Sequence, residues 1–176
     1  MFHPRYVTLS NGRAVLIRAA EPRDAEALIE HVNEVGAEQV HIMTEELRMT
    51  PAAETEMLRH LDQRRTLFLV GVADGRLVAS ADIQRGRESK NAHTASLGIA
   101  LRKEVRGLGL GKAIMEDLLR WARAERIRKV TLAVFATNAP AIALYRDFGF
   151  VEEGRLKGQV VLNGASVDEV LMALWI

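Results

Sequence analysis

Arg106-Gly107-Leu108-Gly109-Leu110-Gly111-Lys112 stands between a strand-like apolar run and an amphipathic helix pattern, and its reading decides the rest of the chain. A glycine-dense turn that opens a helix presents unblocked backbone N–H groups at the positive end of the helix dipole, where a phosphate anion binds best. The segment therefore points to a phosphorylated cofactor. A nucleoside triphosphate loop requires Gly, four residues, then Gly-Lys-Ser/Thr, whereas Arg106 stands five before Gly111 and Ala113 follows Lys112. A dinucleotide fingerprint, Gly-x-Gly-x-x-Gly, requires glycine where Lys112 or Ile114 stands. What remains is Arg-x-x-Gly-x-Gly, read at Arg106, Gly109 and Gly111. Each glycine there costs about 0.5–1 kcal/mol of backbone entropy relative to alanine, with no packing return visible in the sequence, so the turn itself has a task.

Outward from this turn, His93 to Leu101 reads as the preceding strand and Gly109 to Arg126 as the following helix, with Leu110, Ile114, Leu118 and Trp121 forming one apolar stripe. Val130 to Phe135 is a strand, and Pro140 to Asp147 a short helix closed by Gly149. Phe150-Val151 starts another strand, and a last hairpin turns at Asn163-Gly164 and ends in Val167 to Trp175. Toward the N-terminus, Tyr6-Val7-Thr8-Leu9 and Ala14-Val15-Leu16-Ile17 flank the hairpin signal Asn11-Gly12. Glu21-Pro22 opens a helix with Ala25, Leu28, Ile29 and Val32 on one face. Gly36 to Met49 has no clear period, Thr50-Pro51 caps a helix running to about Asp62, and Asp74-Gly75 joins strands at Thr66 to Ala73 and Arg76 to Ile83. This order predicts a mixed α/β sheet covered by helices, in a single domain over residues 1–176.

The composition narrows the function classes. Hydrophobic residues make up 48% and charged residues 27% of the 176 residues, with no apolar run long enough to cross a bilayer and no signal-peptide block after Met1. A cytoplasmic protein without membrane partners is expected. The chain has no cysteine, which excludes thiolate chemistry, and its five histidines form no i, i+4 pair, so no metal site is expected. A net charge of +1 with dispersed basic residues does not suit nucleic acid.

Leu97-Gly98-Ile99-Ala100-Leu101, the Arg106 loop five residues on, the long helix, Leu132-Ala133-Val134, Asn138, Ala141, Leu144-Tyr145 and Gly149-Phe150 together resemble the GNAT superfamily of acyl-CoA-dependent N-acetyltransferases. The tail from Gly154 to Ala173 resembles the branch that acetylates small free amines or amino acids, including phosphinothricin-type compounds. The resemblance implies a GNAT-like fold: a central, mostly antiparallel sheet with one splayed parallel strand pair and helices on both faces. It also implies acetyl-CoA as cofactor, released as coenzyme A. The backbone of Ile99 and Leu101 would pair with the pantetheine arm, and Ile99 N–H or a neighbour would meet the developing oxyanion. Gly107, Leu108, Gly109, Leu110, Gly111 and Lys112 would wrap the pyrophosphate, with Arg106 and Lys112 adding charge. Asn138 would contact the cofactor or hold the strand opening, or would simply cap its helix.

Tyr145 lies seven residues beyond Asn138, about two helical turns, so both can face one way. By its place in the family pattern it would contact the cofactor and protonate the departing thiolate. Glu38, Glu45, Glu46, Asp82 and His93 are candidate bases, and none is assigned. The expected reaction is transfer of acetyl to a primary amine of a small metabolite, amino acid or xenobiotic by direct attack. The alternatives are acetylation of a protein N-terminus or lysine, and a non-catalytic acyl-CoA sensor. Strands at the chain ends suit pairing between copies, so a homodimer is expected.

Overall fold

Turns with successive positive φ angles set the hairpins. In the computed structural model, which describes residues 2–176, Asp74 and Gly75 (φ 52° and 76°) join β3 (Thr66–Ala73) to β4 (Arg76–Arg85). Asn163 and Gly164 (φ 49° and 80°) likewise join β7 (Val151–Leu162) to β8 (Ala165–Trp175). Both are of the hairpin type whose twist matches that of the strands. The turn at Asn11-Gly12 folds β1 (Arg5–Thr8) onto β2 (Ala14–Ala19), with Leu9 N–H donating to the Arg13 carbonyl at 2.8 Å.

With β5 (Thr94–Leu101) and β6 (Lys129–Phe135), the strands form one eight-stranded sheet in the order β1-β2-β3-β4-β5-β6-β8-β7. Among the described residues only β5 and β6 run parallel. Helices α1 (Ala25–Ala37) and α2 (Pro51–Arg59) carry Leu28 and Leu58 against Val70 and Leu77 on one face. Helix α3 (Leu110–Ala124) buries Leu110, Ile114, Met115 and Leu118 in the larger core on the other, which also takes Tyr145 from α4 (Ala139–Asp147). The mixed α/β class, the predominance of antiparallel pairing and the helices on both faces are as the sequence and the resemblance imply.

Local departures have local causes. A 3-10 turn at Pro22–Asp24 precedes α1, and the buried positions include His31 and Val35, while Ile29 and Val32 are only half-buried. Trp121 on α3 is likewise half-buried, whereas Asp117 is buried at 1% exposure. Arg5 Nε donates to both Asp117 oxygens at 3.1 and 3.0 Å, which fastens β1 to α3. A buried charge is tolerated when matched in this way.

Candidate active site

The site begins where two strands part. β5 and β6 pair at Thr94 with Lys129, Ala95 with Val130 and Ser96 with Thr131, and no further. Beyond that point β5 stays on β4 as far as Leu101 opposite Ala79, and β6 stays on β8 as far as Phe135 opposite Glu169. Each strand follows its own antiparallel neighbour, and a gap opens between them. Arg102 N–H donates to the Val78 carbonyl at 2.9 Å, so even-numbered residues of β5 bond toward β4. Antiparallel alternation then turns the main-chain groups of Leu97, Ile99 and Leu101 into the gap. That orientation suits an amide-bearing arm lying along β5 as an added strand.

The glycine turn adjoins this gap. Gly107 and Gly109 have φ of 71° and 96°, a region that side chains with a Cβ seldom adopt, and a Cβ built on either would meet nothing within 4 Å. The space over the turn is therefore open. Gly109 is the N-cap of α3 without a side-chain cap, and the first helical bond runs from Ala113 N–H to the Gly109 carbonyl at 3.1 Å. The N–H groups of Leu110, Gly111 and Lys112 thus have no helical acceptor. Ser10 N–H holds the Leu108 carbonyl at 3.1 Å, which ties the turn to the first hairpin. An open concavity with free N–H donors, the positive end of a helix and Lys112 fits a diphosphate.

Arg106, expected to add charge beside that anion, has its guanidinium engaged within the chain. It donates to both Glu38 oxygens at 2.6 and 2.8 Å and to the Leu101 carbonyl from Nε at 2.8 Å and Nη2 at 2.6 Å. One side chain thereby joins the end of β5, the glycine turn and the residue that closes α1. Arg106 holds the Glu38 carboxyl below the usual carboxylate range, so Glu38 is a weak base.

A cleft of about 1220 Å³ passes through the gap from one face of the sheet to the other. On the α3 side Asn138, Leu144 and Tyr145 line it; on the opposite side Gly98, Thr131 and Glu169 do, beneath His41, Ile42 and Met43 of the irregular 38–50 segment. Asn138 Oδ1 accepts from Ala141 N–H at 3.3 Å, so the helix-cap role is present and the residue still faces the cleft. Tyr145 is 7% exposed, and burial pushes its phenol up to about 12.

Of the candidate bases, Asp82 stands beside the cleft. It pairs across to Gly98, and a Cβ built on Gly98 would lie 3.3 Å from its Oδ1. Burial pushes Asp82 up to about 6, against a smaller opposing bond from Gln84. Glu45 is bonded to Gln39 at 2.7 Å and Glu46 to Arg48 at 2.9 Å, while His93 is exposed just before the paired start of β5. The sequence pattern did not single out His41, Thr131 or Glu169. Alternation along β6 and β8 carries the only signal for the last two, and it becomes readable once the gap is known. Among the described residues no group of three His, Cys, Asp or Glu gathers as for a metal ion, and no helix is long and apolar enough to cross a membrane.

Known proteins match this architecture. The profile of the acetyltransferase (GNAT) family matches residues 26–150. The L-amino acid N-acetyltransferase AaaT of Escherichia coli (strain K12) is 31% identical over 168 residues, covering 90% of this chain and 96% of that protein. YwnH of Bacillus subtilis (strain 168), which carries a phosphinothricin acetyltransferase name, is 28% identical over 86% of this chain and 93% of its own length. The fold of yncA from Salmonella typhimurium, solved with its cofactor acetyl-CoA, superposes with a TM-score of 0.80 at 20% identity, over 92% of this chain and 93% of that one. On these grounds the chain belongs to the GNAT acetyltransferase family and is an acyl-CoA-dependent acetyltransferase.

Proposed function

We propose that residues 1–176 act as one cytoplasmic domain that moves the acetyl group of acetyl-CoA to a primary amine of a small metabolite, amino acid or xenobiotic by direct attack. Acetyl-CoA supplies an activated thioester carbonyl. The N–H groups of Leu110, Gly111 and Lys112, with the Lys112 ammonium, hold its diphosphate, and the main chain of Ile99 and the N–H of Leu101 pair with its arm. As the new C–N bond forms and the C–S bond breaks, Tyr145 gives its proton to the departing sulfur and is restored by the second proton that the newly acylated nitrogen releases. A phenol raised to about 12 keeps that proton throughout the neutral range.

The attacking nitrogen must first lose a proton. Presenting an alkylammonium of pKa ~10.4 as free amine at pH 7 costs about 4.6 kcal/mol. Asp82, ionised above about 6 and beside Gly98, accepts that proton directly or through water. The names of the curated relatives support a small acceptor. The exposed Val151, Val161 and Trp175 of the outer hairpin support a homodimer, which sedimentation of the purified chain measures.

The observation that carries the proposal is the parting of β5 from β6 after Ser96 and Thr131 beside the uncapped start of α3, with Tyr145 on the same cleft. Calorimetric titration with coenzyme A should give micromolar binding, about 8 kcal/mol. Coenzyme A release should then follow addition of at least one free amine from a panel of amino acids, polyamines and peptides. Turnover on peptides alone would indicate protein acetylation, and binding without turnover a sensor. Absence of binding removes the proposal.

A further inference from the structure

The face of the cleft opposite α3 carries an uneven distribution of charge. Along β8, Val170 and Met172 are buried in the core with α3, so the alternate residues Glu169 and Leu171 point to the other face, where both line the cleft. Glu169 sits across from Phe135 on β6 and Leu156 on β7. It is half-buried, and among the described residues its carboxylate makes no ion pair or hydrogen bond. Its acidic neighbour in the cleft, Glu153, is matched by Lys129 Nζ at 2.6 Å. Arg155, adjacent along β7, is taken by Glu152 at 3.1 Å and Asp168 at 3.6 Å.

The cations of the cleft are elsewhere engaged. The Arg106 guanidinium is held by Glu38, and Lys112 belongs to the helix end that faces the diphosphate. Among the described residues lining the cleft on this face, Glu169 is the unmatched carboxylate, with Asp82 nearby beside Gly98; His41 faces Glu38 at 3.6 Å, and the unpaired Arg87 guanidinium lies in the adjoining pocket that shares Ser96 and Thr131. A zwitterionic amino acid would bring its own carboxylate, two bonds from the nucleophilic nitrogen, into that negative field. An amine carrying a second cationic group, or an amino-acid amide, would not.

We propose that Glu169 is a specificity-determining residue and that the acceptor is a small cationic amine without a free carboxylate, a diamine or an amino-acid amide, in preference to a zwitterionic amino acid. This rests on the acetyl-transfer reading and narrows its substrate class. Discrimination comes from repulsion of the wrong acceptor as well as attraction of the right one. It also sets this chain apart from what the name of its Escherichia coli relative says of that protein.

Two acceptor pairs test it: 1,4-diaminobutane against 4-aminobutanoate, which differ only in the remote charge, and L-leucinamide against L-leucine. The purified full chain should favour the cationic member by at least tenfold in kcat/KM, equivalent to about 1.4 kcal/mol. Glu169→Gln should reduce that ratio at least fivefold with the KM for acetyl-CoA unchanged, and Glu169→Asp, which keeps the charge, should retain it. Equal use of both members, or a ratio unmoved by Glu169→Gln, overturns the inference. Coenzyme A binding with no turnover of any of the four acceptors also counts against it. Failure to bind coenzyme A at all would instead remove the acetyl-transfer reading beneath it.

Discussion

At the scale of single residues, Tyr145 and Asp82 receive opposite proton duties from one cause. Burial disfavours the charged form of either, so the phenol rises to about 12 and remains a donor, while the carboxyl rises to about 6 and becomes a better acceptor. Tyr145→Phe removes the proton and leaves the ring packed against Phe150, 6.0 Å away between centroids. Turnover should fall at least tenfold while calorimetry gives the same coenzyme A affinity within about twofold; undiminished turnover would take the acid role from Tyr145. The pH profile of kcat/KM should show an acid limb near 6, because the base is lost as Asp82 takes up a proton. Asp82→Asn should lower the rate and erase that limb, and a limb that persists would belong to another group. That Tyr145 and Asn138 face the same cleft was legible in the sequence through their spacing along one helix. Asp82 was one candidate among several, because what raises it is burial within the assembled sheet, which no local pattern reveals.

At the scale of elements, the start of α3 was readable because it is local chemistry: glycines at positive φ, an uncapped first turn and an apolar stripe within one stretch of chain. The partner of Arg106 was not. Glu38 closes α1 at the edge of a segment without period, and its pairing with Arg106 depends on how α1 crosses the sheet. Asp117 was hidden for the same reason, since its ligand Arg5 comes from the other end of the chain. The glycine turn offers a direct test of element-level strain. Gly109→Ala places a Cβ at φ 96°, where no atom obstructs it, so the effect is conformational and not steric. A left-handed residue with a Cβ costs about 1–2 kcal/mol. Thermal melting should register that loss, and coenzyme A affinity should fall at least fivefold as the turn relaxes its aim at the diphosphate. An unchanged affinity in a properly folded variant would show that the N–H groups of this turn are not the anion's ligands.

At the scale of the whole molecule, the hairpins were legible turn by turn, but the order β6-β8-β7 was not, because β6 meets β8 only after α4 and β7 have been made. The same long-range assembly buries groups whose titrations oppose each other. His31 on α1 is 0% exposed, its ring nitrogens have no hydrogen-bond partner among the described residues, and burial, then the nearby Arg102 charge, pushes it down to about 4. The folded state therefore resists protonating it, and the stability it confers above about 6.5 is lost as pH falls toward 4. Asp82 has the reverse sign. Its raised value makes the ionised form unfavourable in the folded state, so that penalty lifts as pH falls from about 6 toward the ordinary carboxyl range, and Glu54, also raised by burial, acts in the same direction. Between pH 6.5 and 4.5 the His31 and Asp82 contributions are each about 2 kcal/mol and opposed, from ~1.36 kcal/mol per pKa unit. His41, also lowered by burial, acts with His31 and against Glu54, while Glu38, Glu30 and Asp24, all lowered by arginine partners, lose their contributions chiefly below that window. Urea unfolding of the natural chain should thus give nearly the same free energy at both pH values. His31→Leu keeps an apolar side chain of similar size in place and removes the loss, so this variant should be more stable at pH 4.5 than at 6.5. Asp82→Asn removes the compensation, and its stability should fall over the same interval by about 2 kcal/mol. Three parallel pH dependences would mean that neither buried group feels its surroundings as the fold places it.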